Sequence, residues 1–215
     1  PLALSRELAR ACVEQGVTLF ERSPVQAIVR EAAQWRLISA RGSVLARRLV
    51  LATDAYTRTL WPALRQSYAT WHVSLIASEP YSAMAELLPR GTAVGDMGLA
   101  NIFTLRRTTG ERLVTSTFAP IRRGLSAQHI AEPFMRKFRR VFPDLPAPRW
   151  EHVHFGEIGI SSDMLPRLCG IGPQAWTAYG YSGTGINLAL LLGGELAKLA
   201  ASGEPRATLF PVTEL

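Results

Sequence analysis

The sequence predicts an α/β (α+β) chain in which a partial mixed unit, built from both ends, is interleaved with an antiparallel or mixed β-sheet in the middle. Three observations carry this expectation. Continuous apolar runs at 48–52 and 175–179 are the pattern of strands buried on both faces. The middle third alternates polar with apolar residues and holds a hairpin signal, Thr108-Thr109-Gly110-Glu111, between apolar segments at 102–107 and 112–118. A glycine-rich turn at 180–185 leads directly into a helix at 186–201 that is apolar almost all round and is expected to be buried.

Residues 5–16 open the chain with helical spacing at Leu8, Ala11, Cys12 and Gln15, and Gly16 is a natural stop. A short β-rich run at 17–20 follows. Segments at 25–29, 35–40 and 43–45 then read as a meander of short strands, turned at Arg41-Gly42. The buried strand at 48–52 is bounded by Thr53-Asp54. In the middle block, 68–78 reads as a long strand ended by Glu79-Pro80, and 82–88 as a short helix. Ser126 opens a helix to about Phe142, with Ile130, Phe134, Phe138 and Val141 on one face, and Pro143, Pro146 and Pro148 stop it. The last third begins with a strand at 150–158, then a Gly- and Pro-rich loop at 159–172. The expected organisation is 1–60, 61–149 and a return to the first unit at 150–215.

Composition narrows the classes of function. With 215 residues, 47% of them hydrophobic, the chain has material for a packed core, and 19% charged residues without a long low-complexity tract argue against disorder. The net charge of +7 invites an anionic partner. The densest basic cluster, Arg136, Lys137, Arg139 and Arg140, falls on one amphipathic helix, where a solvated face is the ordinary explanation; no nucleic acid is expected as a partner. The apolar stretch at 188–192 is far shorter than the ~20 residues of a membrane span, so none is expected. Cys12 and Cys169 form neither a disulfide framework nor a metal motif, which favours a reducing, cytoplasmic setting. The chain opens on Pro1-Leu2 rather than Met, which points to a fragment or a processed chain.

The stretch richest in chemistry is the strand, turn and helix at 175–201. Its glycines let main chain approach a flat ligand, and the first amides of the helix lack internal partners at the positive end of its dipole. The P-loop lysine is missing, and GxGxxG occurs nowhere in the chain. A serine-hydrolase elbow would need glycine at Thr184. Two readings stand on these residues: a cap for the electron-rich pyrimidine edge of a flavin, or glycines that merely allow close packing of helix on sheet.

Gly156, Ser161-Ser162-Asp163, Pro166, the strand at 176–179 and the turn at 180–185 together resemble the C-terminal signature of the glycine oxidase and D-amino-acid oxidase family of FAD enzymes. Leu49-Val50-Leu51-Ala52-Thr53-Asp54-Ala55-Tyr56 and Ser23-Pro24-Val25 are similar to two further stretches of that family. Within it, the chain looks closest to gamma-glutamylputrescine oxidase-like proteins. The resemblance implies a partial FAD-binding domain interleaved with a substrate domain. It implies flavin contacts at Gly180, Ser182, Gly183, Thr184, Gly185 and Ile186, an adenine-side contact at Val25, and Ala52 and Thr53 beside the cofactor's middle. Tyr181 and Ile158 would lie near the reacting face. Gly156 stands where some relatives carry a flavin-linking Cys, so a non-covalent FAD is expected. Asn187 stands where carboxylate-binding relatives have Lys, which leans the substrate towards an amine. The implied reaction oxidises the C–N bond of an amine or amino acid, with dioxygen as acceptor. The alternative is a non-catalytic binding domain derived from such an enzyme. The family's GxGxxG unit is absent from these 215 residues.

Other polar residues have plainer readings. His152 and His154 share a strand face but lack a third ligand, so no metal is expected. Asp163 is expected to bond its own backbone in a turn. His72 and Arg122-Arg123 are expected on ordinary surface, and Trp71, Trp150 and Trp176 in the core.

Overall fold

A computed structural model describes residues 2–96, 103–117, 125–204 and 208–215, and divides the chain into two compact units: Pro1–Ala69 with Gly159–Leu215, and Thr70–Ile158. Arg122-Arg123 lie outside the described residues.

The first unit opens with α1, Leu2–Glu14, none of whose side chains is buried. Gly16, at φ +85°, ends it in the left-handed backbone that glycine adopts without steric cost. The run at 17–20, expected as a strand, is not one: Val17, Leu19 and Phe20 stand exposed. Next comes the meander β1 (Val25–Glu31), β2 (Gln34–Ser39) and β3 (Gly42–Ala46), antiparallel throughout. β4 (Leu49–Leu51) leads through a 3-10 turn, Asp54–Tyr56, to the short α2 (Pro62–Gln66).

After the second unit, the chain returns as β10 (Arg167–Gly172), β11 (Ala175–Tyr179), α4 (Gly185–Ser202) and β12 (Val212–Glu214). The four-stranded sheet runs β12-β10-β11-β4, with β10 and β11 antiparallel and β4 and β12 added parallel. Every residue of β11 is buried, as its continuous apolar run requires. Alternation along the strand sends Trp176 and Ala178 to Leu192, Leu196 and Leu199 of α4. It sends Ala175 and Tyr179 to a cluster of Trp35, Leu49, Leu51, Leu64 and Tyr68.

Two expectations for this unit are corrected. β4 is not buried on both faces: Leu49 and Leu51 pack into the core, whereas Val50, which points to the opposite face, is exposed. α4 is not buried all round: Leu192, Glu195, Leu196 and Leu199 are covered, whereas Ile186, Leu190 and Leu191 are exposed. By length and composition alone α4 is apolar enough to cross a membrane. Its covered face, with a carboxylate in it, is that of a helix lying on a sheet.

The second unit holds the five-stranded sheet β6-β7-β8-β5-β9, formed by β5 (Ala69–Pro80), β6 (Ala93–Asp96), β7 (Phe103–Arg107), β8 (Arg112–Thr117) and β9 (Trp150–Ile160). The β7–β8 hairpin turns where Gly110 and Glu111 predict it. α3, Ala127–Val141, begins at Ser126, whose Oγ accepts the His129 N–H at 3.2 Å. Ile130, Phe134 and Phe138 join Ile76, Leu105, Leu113 and Trp150 in the core of this unit. Val141 does not; it is exposed. The helix expected at 82–88 is a single 3-10 turn, Ser82–Met84. Trp71, expected in the core, is 45% exposed.

Candidate functional site

Two features of the first unit converge on the C-terminal end of β4. One is a cavity of about 700 Å³ lined by Pro24, Val25, Gln26, Ala52, Thr53, Tyr56 and Arg58, among others. Its size is in the range of small-molecule and cofactor sites. Val25, at the start of β1, and Ala52-Thr53, just past β4, line it together although their sequence positions are far apart. Arg58, which belongs to no motif in the sequence, supplies a cation to its wall.

The other feature is the turn between β11 and α4. Gly180, Ser182 and Gly183 adopt φ of +73°, +51° and +92°. At Gly180 a Cβ would meet the Cβ of Ser161 at 3.1 Å, so both space and dihedral require glycine there. Inside the turn, the Ser182 hydroxyl donates to Gly180 O (3.0 Å) and accepts the Ser161 N–H (3.2 Å). Ser182 N–H bonds Gly159 O at 2.9 Å, and Ile160 bridges to Tyr181. The Thr184 hydroxyl and amide both donate to Tyr181 O, at 2.6 and 2.9 Å. These contacts consume the side-chain hydroxyls of Ser182 and Thr184. What they leave are main-chain donors: Gly183, Gly185 and Ile186 have no backbone acceptor for their amides among the described residues. Asn187 and Leu188 do, both bonding Thr184 O.

Asp54 joins the two features. It follows the cavity-lining Thr53, and its Oδ1 accepts the Gly180 N–H at 2.8 Å across 126 residues of sequence. In the sequence it stands only at the boundary of the strand at 48–52. Tyr181 is half-buried, and its phenol is pushed above its ordinary value of 10.0, first by burial and then by the negative charge of Asp54. Asn187 lies exposed in the first turn of α4.

The remaining candidates lie elsewhere. Gly156 and Ile158 are on β9, in the second unit. His152 and His154, also on β9, are exposed, and His152 Nε2 is 3.2 Å from Glu151. His72 faces Glu157 at 3.9 Å. Asp163 accepts the Leu165 N–H at 3.1 Å, as its turn position predicts, and also pairs with Arg167 at 2.7 Å. That pairing holds the Asp163 carboxyl below the usual carboxylate range.

A flavin fits this arrangement. Nothing lies within 4 Å of the position a Gly183 Cβ would take, so the turn is open at Gly183. The helix behind them adds the positive end of its dipole.

Comparison with known proteins agrees. Residues 1–199 match the DAO family, described as FAD dependent oxidoreductase. The chain therefore belongs to the DAO family of FAD-dependent oxidoreductases. It is 28% identical over 217 residues to the probable oxidoreductase OrdL of Haemophilus influenzae, covering 98% of this chain and 49% of that protein. The glycine oxidase of Geobacillus kaustophilus superposes with a TM-score of 0.70 at 24% identity, covering 96% of this chain and 55% of that one. The L-proline dehydrogenase of P. horikoshii superposes with a TM-score of 0.72 at 18% identity, covering 91% and 54%. These likenesses establish the fold. The chain spans about half the length of the curated relatives it matches.

Proposed function

We propose that the chain contributes the ring-side turn and the adenine-side cavity of an FAD-dependent oxidoreductase that oxidises the C–N bond of a small amine or amino acid. In this reading the product is an imine that water hydrolyses, dioxygen is the electron acceptor, and the enzyme is cytoplasmic. When bound, the flavin supplies the two-electron oxidation. The open main-chain turn at Gly183 carries the proposal, because it offers amides and a helix N-terminus to a flat, electron-rich edge, with nothing within 4 Å of where a Gly183 side chain would begin.

The residues of the chain then have distinct tasks. Val25, Ala52 and Thr53 line the cavity that takes the adenine and the cofactor's middle. The backbone of 183–186 faces the ring, and Ser182 and Thr184 hold that backbone in shape. Tyr181 keeps its proton as a neutral donor on the substrate side. Asn187 offers an amide where an ammonium would pair a substrate carboxylate, which favours an amine such as a glutamylated polyamine over a simple amino acid. With Gly156 in place of a nucleophilic Cys, the flavin is held non-covalently.

Gly183→Val in the full-length protein is the direct test. A β-branched residue at φ +92° is strained and would cover the amides. Loss of the yellow flavin spectrum, with an unchanged far-ultraviolet circular dichroism spectrum, is expected. Normal flavin content and normal peroxide formation from a panel of polyamines, glutamylated amines and amino acids would sink the assignment.

A further inference from the structure

Resting on that reading of the turn, we infer that Asp54 is a positioning residue, a latch that ties the cavity-lining end of β4 to the glycine turn and so sets the spacing between the two parts of the cofactor's bed.

The latch is held at both ends. On the main-chain side, Asp54 O accepts the Tyr68 hydroxyl at 2.6 Å, the Thr57 hydroxyl at 2.8 Å and the Thr57 N–H at 3.1 Å. Thr57 in turn touches the Thr53 hydroxyl at 2.7 Å. The residue takes φ +38°, a backbone that Asp and Asn tolerate better than most side chains. On the side-chain side, Oδ1 accepts Gly180 N–H at 2.8 Å and Oδ2 reaches Gly159 N–H at 3.4 Å. Gly180 and Gly159 are the two ends of the segment pair that the Ser182 hydroxyl and amide then close.

The same geometry explains Gly159. A Cβ there would stand 2.7 Å from Oδ1, so the carboxylate occupies the space a side chain would take. Both of its oxygens meet donors. An Asn at 54 keeps one acceptor oxygen and turns its NH2 towards an N–H, so it serves one glycine only and without charge. The ranking Asp, then Asn, then Ala follows.

The experiment uses Asp54→Ala, Asp54→Asn and Gly159→Ala in the full-length protein, with two readouts. Hydrogen exchange of the peptide containing Gly180, followed by mass spectrometry on the flavin-free protein, reports the latch itself. FAD titration by fluorescence quenching reports its consequence. For Asp54→Ala, exchange at Gly180 and the FAD dissociation constant should each rise about tenfold or more, the scale of a lost charge-assisted hydrogen bond. Asp54→Asn should recover most of the FAD affinity, and Gly159→Ala should shift both readouts in the direction of Asp54→Ala. Unchanged exchange at Gly180 in Asp54→Ala overturns the latch. Faster exchange with unchanged FAD affinity overturns its positioning role, as does an Asn variant that binds FAD no better than Ala. Failure of the flavin reading is distinguished by Gly183→Val, which leaves the Gly180 exchange test standing.

Discussion

The buried carboxylate of Glu195 accepts the main-chain N–H of Leu209 at 2.7 Å and the Lys198 ammonium at 2.7 Å. One acid on α4 thereby pins the segment that carries β12 to the sheet edge. Its two partners hold the carboxyl below its ordinary value of 4.5, the Lys198 bond first and the Leu209 amide second. The sign follows from linkage: a depressed folded value means a contribution that is complete above 4.5 and lost as the pH falls through the lowered value. We expect Glu195→Ala to loosen residues 208–215 at neutral pH, read as faster hydrogen exchange of the peptide that covers them. The unaltered protein should show the same loosening only on acidification below 4.5. Equal exchange of that peptide in the two proteins at neutral pH would contradict the tether.

What the sequence discloses here is what is settled locally. The cap at Ser126, the stop at Gly16 and the hairpin turn at Gly110 depend on residues within a few positions. β10 escapes for the opposite reason. Gly170 and Gly172 read as loop punctuation, yet both lie in a strand, and at Gly172 it is a distant side chain that takes the space: the Trp35 ring would stand 3.3 Å from a Cβ there. Residues 17–20 have β-forming side chains but no partner strand among the described residues, and remain irregular. The glycine turn was legible as a motif, and Val25 and Ala52-Thr53 through family resemblance. Asp54 was not, because a contact across 126 residues leaves no local trace.

Ser126 offers a clean measure of local coding. Its Oγ satisfies one of the four orphan amides at the start of α3. Replacing it with Ala should cost about 1 kcal/mol, and replacing it with Asp should cost little. Thermal unfolding checks this: a Tm drop of about 2–4 °C for the Ala variant only. Equal losses for both variants would show that the cap geometry contributes nothing.

Phe138 tests the core of the second unit. It is fully buried, with the Phe134 and Phe142 rings tilted against it at 6.0 and 5.3 Å and Tyr81 edge-on at 6.4 Å. Phe138→Ala removes these contacts and opens a cavity, and should cost about 3–5 kcal/mol by denaturant titration. Val141→Ala on the same helix, at an exposed site, should change stability by less than about 0.5 kcal/mol. A small effect at Phe138 would mean that α3 is not seated on the sheet as described.

Tyr181 links the turn's electrostatics to the chemistry proposed for it. Burial raises its phenol above 10.0, and the Asp54 charge raises it further. The neutral hydroxyl is therefore the form present throughout the physiological range, and fold stability linked to it is lost only as the pH climbs from 10.0 through the higher folded value. Tyr81 and Tyr179 are raised too, so the ultraviolet titration must be read as the difference between the protein and Tyr181→Phe. That difference should show a phenol ionising above 10.0. In Asp54→Asn it should move down without reaching the ordinary value, because burial is the larger cause. In the assembled enzyme, Tyr181→Phe should lower turnover of an amine substrate while leaving the shape of the pH profile below 10.0 unchanged, since the hydroxyl does not titrate there. A profile that loses a limb near neutrality in Tyr181→Phe would place an ionised tyrosine in the reaction and overturn its role as a neutral donor.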